Sequence, residues 1–180
     1  RMALQLIKNL TFLSHLNKSK EPVLLHMVTC GGDWNYGMAI YDAVQQCQCP
    51  ISILAYAHAR SMSSIIFQAA DYRVLMPNTD FLIHFGFFSV SGNWTSAEAE
   101  SEWNKKCTAR MIDIYAQRAL DGEYYKKKGW GVQRIANDID KQMRLKQEWY
   151  FSPKEAIEYG FADAILGDEG YETIGSLLKS

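Results

Sequence analysis

Ile51-Ser52-Ile53-Leu54-Ala55-Tyr56-Ala57, running on through His58-Ala59-Arg60 into Ser61-Met62-Ser63-Ser64, is the stretch on which the fold turns. The first seven residues form a short apolar run opened by Pro50, which predicts a buried strand over 51–57. From Ser61 the pattern predicts a helix over 61–70. A strand feeding straight into a helix presents the junction residue at a helix N-terminus. Backbone N–H groups are unpaired there, and the dipole favours negative charge. Ser61 is therefore a candidate nucleophile, although the Gly-x-Ser-x-Gly form of a nucleophile elbow is absent, with Ala59 and Ser63 in the flanking positions. The plain alternative is that Ser61 caps the helix, the commonest task of a serine in that place.

The same alternation of short apolar runs and helical periods extends along the chain and predicts an α/β fold. A helix is expected over 2–17, a buried strand over 23–28, and a turn at Cys30-Gly31-Gly32-Asp33 before a helix over 36–46. Two short strands follow over 72–76 and 80–85, separated by Pro77-Asn78. Thr95 and Glu98 read as a capping box for a long helix to about Leu120, with Trp103, Cys107, Met111, Ile114 and Tyr115 on one apolar stripe. A helix near 132–142 and a strand around 149–151 come next. Ser152-Pro153-Lys154-Glu155 combines an N-cap, a proline at the first helical position and a capping-box glutamate. No repeat or linker divides the 180 residues, so one domain is expected. The helical reading already holds at Met2, so an upstream segment is expected before Arg1.

Bulk properties exclude several classes. Lys and Arg number 19 against 20 Asp and Glu, which leaves no electrostatic footprint for nucleic acid. No apolar run reaches the length of a membrane span, and no secretory signal opens the sequence. Cys30, Cys47, Cys49 and Cys107 lack the spacing of a zinc site and are too sparse for a disulfide scaffold, so reduced thiols and no metal are expected.

Three further features bear on chemistry. Gly31-Gly32 follow a buried strand at its carboxyl end, the edge at which open α/β sheets bind ligands. His84 sits in Asp80-Phe81-Leu82-Ile83-His84-Phe85 as a core histidine or a general base, with His15, His26 and His58 as competitors. Glu148 precedes the strand around 149–151, as a solvated acid or one that holds an imidazole in its tautomer.

In this order the motifs resemble the ClpP family, the proteolytic subunits of ATP-dependent Clp proteases. Thr29-Cys30-Gly31-Gly32 is similar to the family's Ser-Pro-Gly-Gly turn and Gly37-Met38-Ala39-Ile40-Tyr41-Asp42 to its following helix. Ala59-Arg60-Ser61-Met62-Ser63 resembles the nucleophile segment Ala-Ala-Ser-Met-Gly. Leu75-Met76-Pro77-Asn78 and Ile83-His84 resemble Leu-Pro-Asn and Met-Ile-His, and residues 152–160 with Asp163 the C-terminal signature.

The resemblance implies a spiral of β-β-α units, as in ClpP and crotonases, with a head at about 1–84 and 146–180 and a handle (strand plus long helix) at about 85–145. It implies Ser61 as nucleophile, His84 as base, Glu148 as acid, and backbone N–H groups of Gly32 and Met62 as oxyanion hole. Gly31, Phe85, Gly86 and Phe87 become candidates for the peptide groove. It further implies two stacked heptameric rings, a tetradecamer, around a chamber. An AAA+ Clp ATPase partner would spend the ATP and feed in unfolded polypeptides in protein quality control, so the subunit needs no cofactor. The expected compartment is the cytoplasm of a bacterial or phage-infected cell, or an organelle matrix. An axial N-terminal segment would lie upstream of this sequence. Four features depart: Glu148 stands where the family has Asp, Cys30 replaces the turn proline, Arg60 replaces a small residue, and the handle strand at 85–94 is aromatic instead of Gly-rich. Rival readings are an inert ClpP-like ring subunit, an acyl-CoA enzyme of the crotonase fold, and a binding module using 85–94.

Overall fold

A computed structural model describes residues 2–178. Arg1, where the first helix was expected to run in from upstream, and Lys179 and Ser180, the end of the expected head, lie outside the described residues. The described chain builds one six-stranded sheet from β1 (Val23–Thr29), β2 (Ile51–Arg60), β3 (Tyr72–Leu75), β4 (Asp80–Ile83), β5 (Trp149–Phe151) and β6 (Ala164–Ile165). The order is β5-β4-β2-β3-β6, with β1 also paired to β2. All pairs are parallel except β4 with β5.

β2 is the organising strand. It is longer than predicted, reaching Arg60, and its two halves have different partners. Ser52–Ala55 pair with β3, whereas His58–Arg60 pair with β4. The hand-over falls at Ala57, whose φ is +56°, and the β1 ladder shifts register beside it, between Met27 and Thr29. An irregularity of that kind bends a strand and increases its twist. The bend turns the carboxyl end of β2 toward β4, which is where Ser61 follows.

Helices α1 (Met2–Leu16), α2 (Trp34–Gln45), α3 (Met62–Phe67), α4 (Trp94–Ala119), α5 (Glu123–Lys126), α6 (Val132–Lys146) and α7 (Pro153–Glu158) pack around the sheet, with a 3₁₀ turn at Ile174–Leu178. The core is aromatic: Phe81, Phe151, Phe161 and Tyr115 contact one another in stacked and edge-on pairs. Buried Arg73 is fully engaged, by Asp163, Gln68 Oε1 and the Gly160 carbonyl. No helix among the described residues is long and apolar enough to cross a membrane.

Several local expectations are corrected. Asn93, not Thr95, caps α4, accepting from Ser96 N–H at 2.9 Å. The stripe on α4 splits: Met111 and Tyr115 are buried with Ile112, Ala116 and Ala119, whereas Trp103 is exposed. α6 runs four residues further than predicted, burying Ile135, Ile139 and Met143 at i, i+4 spacing. β4 stops at Ile83, so His84 and Phe85 lie just beyond the ladder. Of residues 85–94, expected to begin the handle as a strand, 85–93 pair with no strand among the described residues and Trp94 already opens α4. β6, α5 and the 3₁₀ turn are too short to leave a periodic signal. The capping box at Ser152 and Glu155 forms as predicted.

Candidate active site

At the end of β2 the chain reverses at Ser61, whose φ of +54° and ψ of −130° belong to neither strand nor helix. A non-glycine residue there costs on the order of 1–3 kcal/mol and persists only when its surroundings over-determine it. They do. The Ser61 N–H donates to the Leu82 carbonyl at 3.1 Å. Its carbonyl accepts from the Ser64 N–H at 3.0 Å and the Ser64 hydroxyl at 2.6 Å. Since Ser64 has one hydroxyl proton, the Tyr115 hydroxyl donates to Ser64 Oγ, at 2.7 Å. Burial pushes the Tyr115 pKa up, which keeps that proton in place. Ser63 Oγ accepts from the Arg60 N–H at 2.9 Å, and its one proton lies between the Arg60 carbonyl at 2.6 Å and the Thr29 carbonyl at 2.8 Å, which sets the reversal beside the glycine turn.

Ser61 therefore occupies the N-cap position without capping: its side chain makes no bond to the helix. Its Oγ lies 2.8 Å from His84 Nε2 instead. His84 Nδ1 in turn lies 3.1 Å from Glu148 Oε1. Strand register explains the second contact. β4 and β5 pair Phe81 with Phe151, Leu82 with Tyr150 and Ile83 with Trp149. One more step sets His84 opposite Glu148, where directly opposed Cβ atoms stand about 4.5–5.5 Å apart. The His84 side chain is 14% exposed and that of Glu148 47%. Asp138 and Asp140, the other acids near in sequence, are engaged elsewhere, by Tyr125 at 3.1 Å and Arg144 at 2.8 Å. The competing histidines do not bond Ser61: His15 meets the Thr11 carbonyl, His26 meets Tyr56, and His58 sits within β2.

The glycine turn packs directly on this reversal. Gly31 has φ +110°, and a Cβ there would stand 2.8 Å from Ser61 Cβ and 3.0 Å from Met62 N. Gly37 on α2 serves differently, since a Cβ would overlap the Met62 side chain at 2.1 Å. Ser61, Met62, Gly32 and His84 line a cavity of about 790 Å³, together with Phe85, Gly86 and Phe87. Gly31 instead lines a neighbouring cavity of about 340 Å³ between α1, β1 and α2. The far wall of the larger cavity is α4, through Trp103, Cys107 and Met111. Sequence reasoning missed these wall residues as site residues. Their i, i+4 spacing marks an apolar stripe on the helix, and such a stripe does not by itself say whether it faces a core or a groove. Among the described residues no cluster of metal-ligating side chains occurs, and all four cysteines are free.

A family model for the Clp protease matches residues 1–169. A protein of Deinococcus radiodurans named ATP-dependent Clp protease proteolytic subunit is 26% identical over 168 residues, which is 92% of this chain and 74% of that protein. The match covers β1 through β6 and every residue of the Ser61, His84 and Glu148 constellation, and the mixed α/β architecture is the fold of that family. The chain belongs to the Clp protease family of peptidases.

Proposed function

We propose that this chain is a serine endopeptidase subunit with Ser61 as nucleophile, His84 as general base and Glu148 as the orienting acid. The supporting observation is that one imidazole bridges both partners, at 2.8 Å to Ser61 Oγ and 3.1 Å to Glu148 Oε1. With Nδ1–H donating to the carboxylate, Nε2 carries the lone pair that accepts the Ser61 proton. Ser61 Oγ attacks the scissile carbonyl as that proton moves to His84, and Glu148 balances the imidazolium. N–H groups of Gly32 and Met62 face the oxyanion; losing one such donor costs about 10²–10³ in turnover. Collapse breaks the C–N bond, and His84 gives the proton to the leaving amine. Water, deprotonated by the same imidazole, then hydrolyses the acyl-enzyme.

On this reading the head (1–84 and 146–180) holds the chemistry and the handle (85–145) forms the far wall of the groove. The subunits assemble in stacked heptameric rings, and a Clp-type ATPase supplies unfolded polypeptide at the cost of its own ATP. The setting is the bacterial cytoplasm or an organelle matrix. The second reading, an inert ring subunit, draws on the exposure of Glu148 and on Arg60 beside the nucleophile.

An activity-based fluorophosphonate separates the two. Wild-type protein is expected to take up one label per chain, and Ser61→Ala none. Absence of label on the assembled wild type overturns the peptidase reading in favour of the inert subunit. Label that persists in Ser61→Ala overturns the nucleophile assignment.

A further inference from the structure

One face of β2, β4 and β5 carries a row of side chains fixed by strand register. Arg60 pairs with Leu82, and Leu82 with Tyr150. Side chains alternate along a strand, so Asp80 and Leu82 share this face of β4 with His84 one step past its end, and Tyr150 carries it on β5 with Glu148 one step before its start. Across the row Arg60 grips Asp80 with a two-pronged fork, Nε to Oδ1 and Nη2 to Oδ2, both at 2.5 Å. The same guanidinium lies over the Tyr150 ring, 5.5 Å from its centroid. The Tyr150 hydroxyl points along the strand to Glu148 and donates to Oε2 at 3.4 Å. Oε1 of that carboxylate faces His84.

Glu148 has particular need of such a contact. A glutamate carries one more rotatable bond than an aspartate, and at 47% exposure this one has little packing to select a rotamer. Its carboxylate has two bonding partners among the described residues, His84 on one oxygen and Tyr150 on the other. The Tyr150 bond is long for O–H···O, so what it supplies is restraint more than strength. The ring that carries the hydroxyl is held from the far side by Arg60, which Asp80 fixes in turn.

Resting on the serine-peptidase reading, we propose that Tyr150 is a positioning residue for Glu148, steadied by the Arg60–Asp80 pair, and that this row is what lets a glutamate serve as the acid. Arg60, next to the nucleophile, thus acts on the acid through Tyr150 and touches no reacting atom.

The test measures the rate constant of fluorophosphonate labelling, together with kcat and KM for a fluorogenic peptide. It compares wild type, Tyr150→Phe, Glu148→Gln and the double variant, with Ser61→Ala as blank. Tyr150→Phe keeps the ring and removes only the hydroxyl. It is expected to slow labelling and lower kcat roughly 3- to 10-fold at unchanged KM, about what one net hydrogen bond contributes. In the Glu148→Gln background the same change is expected to have almost no further effect, because the carboxylate it serves is gone. Arg60→Gln should show a smaller loss with the same dependence on Glu148. Equal slowing by Tyr150→Phe in both backgrounds, or none in either, overturns this proposal while leaving the triad reading intact. Wild-type rates in Glu148→Gln, or label surviving in Ser61→Ala, overturn the triad reading itself.

Discussion

The two walls of the cavity are built on different principles. On the sheet side each functional side chain is fixed by ladder register: Ser61 leaves the end of β2 with its N–H on Leu82, and His84 and Glu148 face each other one step past the β4–β5 pairing. On the other side, residues 85–93 form no ladder, Phe87 is fully exposed and Trp94 is largely so. The contrast is clearest between Phe81, which has no exposed surface and contacts Phe67, Phe151 and Phe161, and Phe87, whose ring contact is the edge of His84 at 6.5 Å. The sheet wall is pre-organised by contacts within the chain. The 85–93 wall offers aromatic faces and the backbone of 85–92, which bonds to nothing among the described residues, to whatever lies beside it; on the proposed function that is an extended peptide.

The sharpest way to break the sheet wall is to fill the space left by Gly31. Gly31→Ala adds a Cβ 2.8 Å from Ser61 Cβ and 3.0 Å from Met62 N at a φ of +110°. Ser61 or Met62 must move, and on the proposed function, which makes the Met62 N–H an oxyanion donor, that displacement is expected to cost about 10²-fold or more in turnover. Gly129→Ala is the matched control: it also has positive φ, at +64°, but open space where the Cβ would go. It is expected to lower thermal stability slightly, by about 1 kcal/mol, and to leave the labelling rate unchanged. Similar labelling rates in the two variants would show that crowding at Ser61 is unimportant.

The 85–93 wall should respond differently. Phe87→Ala removes a ring with no buried surface, so the melting temperature is expected to stay within a degree or two. The KM for a fluorogenic peptide is expected to rise several-fold while kcat changes less than about 2-fold, the pattern of lost uniform binding. Phe81→Ala should do the reverse, costing about 3–5 kcal/mol of stability through the cavity it leaves. A large fall in kcat for Phe87→Ala would mean that the ring positions His84 and belongs with the sheet wall.

The same division decides what was legible in the sequence. β1 to β5, the Ser152 capping box and the Ser61 junction left local signals, since apolar runs, caps and breakers are local. Ser61 was read as possible cap or nucleophile, and the choice rests on contacts with Leu82 and His84 that no local pattern encodes. The His84–Glu148 apposition depends on antiparallel pairing between segments 64 residues apart, which composition cannot express. Trp103, Cys107 and Met111 carried a correct helical period but an ambiguous destination, because an apolar stripe packs equally well on a core or along a groove. At the expected handle strand, 85–94, the reason is plainer: a ladder needs a neighbour, and 85–93 has none among the described residues.

The smallest effect expected lies in the Arg60–Asp80 pair, at the edge of the sheet wall. Hydrogen bonds from Arg60 hold the Asp80 carboxyl below its ordinary value, with the facing His58 adding a weaker pull the same way. A depressed native pKa means that the unfolded chain binds the proton more readily. The stabilisation is therefore complete above the ordinary aspartate pKa of about 3.9 and is lost as the pH falls through the lower native value. Both side chains are about a third exposed, at 36% and 37%, so solvent screening keeps the contribution small. The melting temperatures of wild type and Asp80→Asn should stay apart above about pH 4 and converge as the pH falls below the ordinary aspartate value of about 3.9. Parallel curves across that lower range would mean that the pair adds nothing to the fold, leaving the support of Tyr150 as the one use for Arg60 beside the nucleophile.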